Sequence, residues 1–206
     1  MKGNRGRTRT AALLVMAGIA VFGGRLGVVT SEDRMEMAGH YAEYTSSDPD
    51  FVASFAYPEG WSLDEERGTM EAYREVRVRG PRNADDTYTS YLAVRASPLK
   101  TAGGPFATTA DAVEHYMSRL PAGAVVASRE TRVVAGLTAD DLTVDYTLPP
   151  LHLHGLKPTA IPIKTRTVFL ERGSYLYELI LSADAREFPR QAETFERLVA
   201  TVRFRE

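Results

Sequence analysis

Residues 163–182 read IKTRTVFLERGSYLYELILS, and this stretch decides the fold. Two apolar segments, Ile163–Glu171 and Ser174–Ser182, flank an Arg-Gly turn, which predicts a β-hairpin. In the second segment apolar side chains occupy both faces: Tyr175, Tyr177, Leu179 and Leu181 on one, Leu176 and Ile180 on the other. A strand that is apolar on both faces is expected at the centre of a sheet that is covered on both sides.

Further segments with strand-like patterns extend this hairpin. They are Phe51–Tyr57, Trp61–Glu66, Met70–Arg79, Thr87–Ser97, Ala124–Val134 and Leu137–Leu148. The connections are mostly short and rich in Gly, Pro, Asn and Asp, so we expect antiparallel neighbours. In Met70–Arg79, the residues Glu75, Arg77 and Arg79 are predicted to line a solvated face.

Two amphipathic helices interrupt the strands. Thr108 and Asp111 have the spacing of a capping box, and the helix that they begin ends at Pro121. A second helix is predicted from about Pro189 to Ala200, before a closing segment at Val202–Phe204. The predicted fold class is α+β: an antiparallel β-sheet covered by helices in an α-β-α sandwich.

The N-terminal residues indicate export. Four basic residues within residues 1–10 precede Ala11–Gly24, fourteen residues without a charge, and Arg25 follows. This is the pattern of a secretory signal peptide, and the apolar run is shorter than the ~20 residues of a membrane span. Since Leu26–Val29 resumes the apolar pattern, a retained anchor stays open, as does a buried cytosolic helix. Residues 1–29 are thus predicted to be a signal peptide or membrane anchor, touching the membrane through residues 11–29 if uncleaved.

The rest of the chain is predicted to hold one domain outside the cytoplasm. Residues 30–50 are polar and read as a linker, and residues 51–206 form the domain, periplasmic or extracellular, or tethered to the inner membrane. The chain contains no cysteine, which excludes disulfides, thiolate metal sites and a lipid-modified N-terminal cysteine. The formal net charge is −2 although the first ten residues are basic, so we expect no nucleic-acid partner.

Three groups of residues resemble the PsbP-like superfamily, which also includes the Mog1 proteins. They are Phe51–Trp61 (FVASFAYPEGW), Val134–Ala139 (VAGLTA), and the ending with Gly173, Tyr175, Tyr177, Ala185, Phe188, Phe195, Val202 and Phe204. These residues are structural, and Tyr57 and Trp61 are expected to pack in a core or turn. Plant PsbP proteins assist the oxygen-evolving complex from the lumenal side, so the resemblance implies an extracytoplasmic accessory or binding role without a particular chemistry.

His152 and His154 are the candidate metal ligands. Two histidines at i and i+2 in an extended chain lie on one side, where they can bind zinc or copper. A third ligand would have to come from elsewhere, and Asp140, Asp141 and His40 are the candidates. The alternative is an exposed polar loop within the proline-rich stretch 149–162.

We find no motif for a catalytic residue or a cofactor in the sequence, so neither is predicted. Arg74, Arg77, Arg79, Arg82 and Arg95 could form a basic strip, but Glu71 and Glu75 alternate with them and favour a salt-bridged surface. The favoured function is a non-enzymatic extracytoplasmic accessory or binding module with a protein partner, a subunit tethered to a membrane complex. The alternative is a small-ligand or metal-binding periplasmic protein that uses the 149–162 loop.

Overall fold

The computed structural model describes residues 40–48, 51–67, 73–149 and 160–205. Their strands are β1 (Tyr41–Thr45), β2 (Val52–Pro58), β3 (Ser62–Arg67), β4 (Arg74–Arg82), β5 (Thr89–Pro98), β6 (Val125–Val134), β7 (Leu137–Leu148), β8 (Ile161–Arg172), β9 (Tyr175–Asp184) and β10 (Arg203–Phe204). The helices are α1 (Thr109–Ser118) and α2 (Phe188–Thr201).

Seven strands form a large antiparallel sheet in the order β3-β4-β5-β9-β8-β7-β6. The β8–β9 hairpin pairs Arg172 with Tyr175 across a turn in which Gly173 adopts φ 59°. This conformation lies in the left-handed region, which glycine enters without steric cost. Strand β9 is the central strand, which confirms the prediction from its two apolar faces.

A small sheet with the order β1-β2-β10 accompanies the large one. Strand β1 lies within the linker predicted over residues 30–50, so that linker must be shortened and the described fold begins at His40. Tyr44 of β1 is buried against Phe55 of β2, with 4.9 Å between ring centroids. This contact and the pairing of β1 with β2 over five residues make the segment part of the domain.

The tight turn between β2 and β3 does not make them neighbours in a sheet. We expected antiparallel pairing from the short connection, but β2 pairs with β1 and β10, whereas β3 pairs with β4. Trp61 occupies this corner and packs against the main core. A Cβ atom at Gly80 would lie 2.6 Å from its ring, so the close approach of Trp61 requires glycine in β4.

The helices cover opposite faces of the large sheet. Helix α1 begins at Thr108, where the predicted capping box with Asp111 is present, and its Val113 packs with Phe169 of β8. Helix α2 buries Phe195 and Leu198 in the main core, against the face that carries Leu179 and the small sheet. This confirms the α-β-α sandwich. Within the described ranges, neither helix has the length and apolarity that crossing a membrane requires.

Candidate binding face

Helix α1 covers only part of its face of the large sheet. Its main apolar contacts lie on β7 and β8, through Leu142, Val144 and Phe169, and its Ala112 shares a small buried cluster with Leu176 at the start of β9. On the other half, over β4, β5 and Glu178 of β9, the side chains that share this face are mainly charged or aromatic, because the register aligns Glu75 with Arg95 and Arg95 with Glu178. We call this half the polar face.

An ionic group, the arginine network, consists of Glu75, Arg95 and Glu178, which form one row across the strands, and of Arg77, two residues along β4 from Glu75. The Glu75 carboxylate accepts a hydrogen bond from Arg95 Nε at 2.8 Å and lies 2.5 Å from Arg77 Nη2. Glu178 lies 3.7 Å from Arg95 Nη1. The side chain of Glu75 is 2% exposed, while those of both arginines are 34% exposed. The carboxylate therefore lies at the base, and the guanidinium groups reach solvent.

Both arginines of the network stack on tyrosine rings. The Arg77 guanidinium carbon lies 5.2 Å from the centroid of Tyr91, and that of Arg95 lies 5.5 Å from the centroid of Tyr73. A guanidinium group within about 6 Å of a ring centroid is attracted to the aromatic face. The stacking and the ion pairs together fix where the remaining N–H groups point, so little side-chain entropy is left to lose on binding.

A second group, the tyrosine cluster, adjoins the network through Tyr91 and consists of Tyr88, Tyr91, Tyr116 and Tyr146. Tyr88 Oη lies 2.6 Å from Ser182 Oγ, within hydrogen-bonding distance, and Tyr91 is aligned with Ser182 across the strands. The other two tyrosines reach the same region from α1 and β7.

Thr165 of β8 completes the link between these rings. Its Oγ1 lies 3.1 Å from Ser182 Oγ and donates to Tyr146 Oη at 3.5 Å. Tyr116 is placed by an edge-on contact with Phe169, with 5.5 Å between ring centroids. Four half-buried tyrosines, from β5, the loop before it, α1 and β7, thus converge on one part of the sheet.

The electrostatic setting keeps these groups in defined protonation states. Burial raises the pKa of Tyr88, Tyr91 and Tyr116, so their hydroxyls remain protonated at neutral pH and can donate or accept hydrogen bonds. Burial also raises the pKa of Glu178, against the opposing effect of Arg95. The polar face therefore presents aromatic rings, neutral hydroxyls and cationic guanidinium groups together.

The candidate metal site is not tested by the structure, because His152 and His154 lie outside the described residues. The proposed third ligands are described, and they do not come together. Asp140 and Asp141 point to opposite faces of β7, and Asp141 accepts two hydrogen bonds from Arg166, at 2.8 and 2.6 Å. His40 is exposed beside the small sheet. Among described residues, no three His, Cys, Asp or Glu side chains are grouped to hold a metal.

The predicted salt-bridged surface is present, but not through the two glutamates that indicated it, since Glu71 lies outside the described residues and Glu75 is buried. Arg79 pairs with Asp64 at 3.2 Å, and Arg82 pairs with Asp86 at 3.0 Å, both as exposed pairs. Glu75, however, is buried rather than solvated, because its register places it between arginines of β4 and β5. The alternation of charges was visible in the sequence, but the burial of one carboxylate was not.

The tyrosine cluster was not predicted. Its members lie at positions 88, 91, 116 and 146, which periodicity assigns to a turn, a strand, a helix and a strand without relating them. The pairing of β5 with β9, of β9 with β8 and of β8 with β7, together with the packing of α1 on β8, brings them together. The chain has ten tyrosines, and two members of the cluster, Tyr91 and Tyr146, occupy strand positions on the sheet face that carries α1. This frequency of tyrosine is the signal that could have pointed to them.

Comparisons with known proteins extend the description of the fold. No protein-family model and no curated protein sequence matches the chain. Among solved structures, cyanobacterial PsbP (CyanoP) from Synechocystis is similar with a TM-score of 0.52 and 16% identity, covering 80% of this chain and 92% of that one.

Two further solved structures are similar over comparable lengths. PA94, a protein of unknown function from Pseudomonas aeruginosa, has a TM-score of 0.50 and 17% identity, covering 82% of this chain and 99% of that one. LpqN of Mycobacterium tuberculosis has a TM-score of 0.47 and 15% identity, with coverages of 81% and 93%. The similarity to CyanoP shows that the chain has the PsbP-like α+β fold, and the resemblance seen in its sequence is confirmed at the level of the fold.

Proposed function

We propose that this protein is a non-enzymatic accessory module outside the cytoplasm, which binds a protein subunit of a membrane complex through the polar face. The observation that carries the proposal is the pair of arginines stacked on tyrosines above a buried carboxylate. Tyrosine and arginine are the residue types enriched at the energetic centres of protein interfaces.

The location outside the cytoplasm is supported by the sequence and is consistent with the fold. The basic N-terminus followed by Ala11–Gly24 is the pattern of an export signal. The fold is shared with a cyanobacterial PsbP protein, and the resemblance to PsbP proteins implies an accessory role. Fold alone does not fix function, so the binding chemistry has to come from the polar face itself.

The polar face fits a partner that presents carboxylate or carbonyl groups. The exposed parts of the arginine network are guanidinium groups, while its carboxylates lie below them. Arginine N–H groups pair most strongly with carboxylates, and the stacked geometry leaves them oriented for such a contact. The neighbouring tyrosine rings add apolar area and hydroxyl groups at low entropic cost.

Binding is favoured over catalysis because the Glu75 carboxylate is paired with arginines and the tyrosine hydroxyls stay protonated. A general base must have a free carboxylate or imidazole within reach of a substrate proton. Glu75 is held by two arginines, and the tyrosines of raised pKa remain protonated. His115 is exposed on α1 and packs on Phe106, with 5.1 Å between ring centroids, away from this arrangement.

Site-specific photo-crosslinking in the native membrane tests the proposal. The full chain carries a photoreactive phenylalanine analogue in place of Tyr91, and the crosslinked protein is identified by mass spectrometry. We expect one predominant adduct, with a membrane-complex subunit, and a loss of at least about tenfold in its yield after Arg95→Ala.

The matched control is Arg119→Ala, which removes the same charge from an exposed position at the end of α1. It should leave the adduct unchanged, and thermal unfolding should show that both variants fold. Equal yields for Arg95→Ala and Arg119→Ala, or crosslinks spread over unrelated abundant proteins, would contradict the proposal.

A further inference from the structure

Strand β6 forms one edge of the large sheet and carries unusual surface side chains. Three of its residues are large exposed hydrophobics: Val125, Val126 and Val133, the last 70% exposed. An edge strand also presents a row of backbone N–H and C=O groups on its outer side, which can pair with another strand. A regular ladder to β7 runs from Ser128 to Val134, so this row is straight over seven residues.

The opposite edge of the sheet is different. Strand β3 carries Asp64, Glu65 and Glu66 in succession, and all three are exposed. Charges on an edge strand are a common protection against pairing with another chain. Strand β6 has charges only at Arg129, Glu130 and Arg132, with valines at both ends.

We propose that β6 is a dimer interface, in which it pairs antiparallel with β6 of a second copy of this chain around Thr131. The two large sheets then form one continuous sheet. This inference does not depend on the polar face or its partner.

Symmetry limits the possible registers. Two identical antiparallel strands in one sheet are related by a two-fold axis perpendicular to it, so one residue must face its own counterpart. On either side of that residue, each side chain lies opposite a side chain of the second copy that projects from the same face of the sheet. The choice of register is therefore a choice of the central residue.

Charge favours Thr131 as that residue over its charged neighbours. A centre at Arg129, Glu130 or Arg132 would set a charged side chain against its own copy, which is destabilising in directly opposite strand positions. A centre at Thr131 instead sets Glu130 opposite Arg132 of the second copy, twice by symmetry. Both residues of this pair lie on the α2 side of the sheet, where Arg132 already contacts Glu196.

Two further features of β6 fit this register. Glu130 is aligned with Asp141 of β7, a residue of like charge, so a cation from the second copy would offset that neighbour. On the other face, Val133 would lie opposite Arg129 of the second copy. The aliphatic stem of that arginine would cover the exposed valine while its guanidinium group stays in water.

A cysteine scan tests the register directly, because the chain has no cysteine of its own. In the full chain, Thr131→Cys would place two cysteines opposite each other, at Cα distances of about 4.5–5.5 Å, within the range of a disulfide. We expect oxidation to give a covalent dimer at least about tenfold faster than for Ala127→Cys. Ala127 is also exposed on β6, at the register shift between Val126 and Ser128, but its two copies would be more than about 20 Å apart.

A charge reversal provides the second measurement. Adding Glu130→Lys to Thr131→Cys should slow crosslinking about fivefold, since the introduced ammonium group would face Arg132 of the other copy. The same charge change at the exposed Glu114 of α1 should have no effect. The unmodified protein should approach the mass of a dimer, and not exceed it, as its concentration rises in analytical ultracentrifugation.

Equal crosslinking rates at positions 127 and 131 would overturn the proposal, as would a protein that stays monomeric at all concentrations. A mass that grows beyond the dimer would also overturn it, since β6 would then pair with β3 of the next copy in an open chain.

Discussion

Asp184 is a fully buried carboxylate at the end of β9, and it organises the loop between β4 and β5. Asn83 Nδ2 donates to it at 2.8 Å, and Arg186 donates through Nε at 2.9 Å and Nη2 at 2.6 Å. Asn83 Oδ1 in turn accepts the backbone N–H groups of Thr87 and Tyr88. One carboxylate therefore helps to position Tyr88 in the tyrosine cluster.

Replacement of Asp184 by Asn should lower the free energy of unfolding by about 2 kcal/mol at pH 7, because charge-assisted hydrogen bonds to a buried group are lost. Arg186 holds the pKa of Asp184 below its ordinary value. The stabilisation is thus complete above the unfolded pKa of about 3.9 and is lost as the pH falls towards the folded pKa. Urea unfolding at pH 7 and at lower pH should show that the difference between the two proteins shrinks in acid.

The control for Asp184→Asn is Asp86→Asn, which changes an exposed carboxylate paired with Arg82. Exposed ion pairs contribute little, so we expect a change below about 1 kcal/mol at either pH. A difference for Asp184→Asn that stays constant as the pH falls would contradict the role of its charge.

Between elements, an ionic group ties α2 to the β6 side of the sheet. This edge network consists of Arg132 of β6, Asp141 of β7, Arg166 of β8 and Glu196 of α2. Arg132 donates to Glu196 at 3.1 and 3.0 Å and to Asp141 at 3.2 Å, while Arg166 lies 2.7 Å from Glu196. The hydrogen bond from Arg132 lowers the pKa of Glu196. Its side chains thus join α2 to three neighbouring strands of the large sheet.

Asp141 and its neighbour Asp140 offer a matched test of the edge network. Asp141→Asn should reduce the free energy of unfolding by about 3 kcal/mol, since it leaves two arginines without their buried counter-charge. Asp140 lies on the other face, 3.7 Å from Arg129, and Asp140→Asn should cost less than about 1 kcal/mol. If chemical denaturation shows the same decrease in the free energy of unfolding for the two variants, the burial of Asp141 does not strengthen its ion pairs.

The elements themselves were largely predictable, because their signals are local. The capping box at Thr108 fixed the start of α1, and the two apolar faces of β9 placed it at the centre of the sheet. The assignment of β2 and β3 to different sheets was not predictable, since a tight turn is the usual signal for pairing. It depends on the pairing of β2 with β1 and β10, and β10 is the last strand in the sequence, far along the chain from β2.

For the molecule as a whole, β1 decides where the domain begins. Tyr44 is buried on Phe55, and Tyr41–Thr45 pairs along β2 over five residues. A chain that starts at Phe51, the boundary expected from sequence, would lose this strand and expose one edge of β2. The small sheet therefore includes residues, Tyr41–Thr45, that were predicted from composition to belong to a linker.

Shortened chains test the boundary. We expect a chain beginning at Phe51 to be less stable than one beginning at His40 by at least about 3 kcal/mol, as is usual for loss of a buried aromatic side chain. Thermal unfolding of the two purified proteins measures the difference. Restoring residues 40–50 with Tyr44→Ala should recover only part of it; equal stability of both chains would refute the role of β1.

The site could be predicted from sequence only in part, again for reasons of distance along the chain. The alternating charges of β4 indicated ion pairs between neighbouring strands, and these are present. The depth of Glu75 and the meeting of four tyrosines depend on the order of β4, β5, β9 and β8. No local pattern encodes that order, because β5 and β9 are separated by α1 and three strands.

Trp61, packed on Gly80 at the corner between the two sheets, is the one tryptophan of the chain. Indole emission depends on how far the ring is shielded from water, so the protein carries its own optical reporter at the point where the sheets meet. Fluorescence excited selectively in tryptophan will follow the parting of the two sheets. Circular dichroism will follow the loss of the strands themselves. A fluorescence transition that precedes the circular dichroism transition would show that the two sheets separate before their strands unfold.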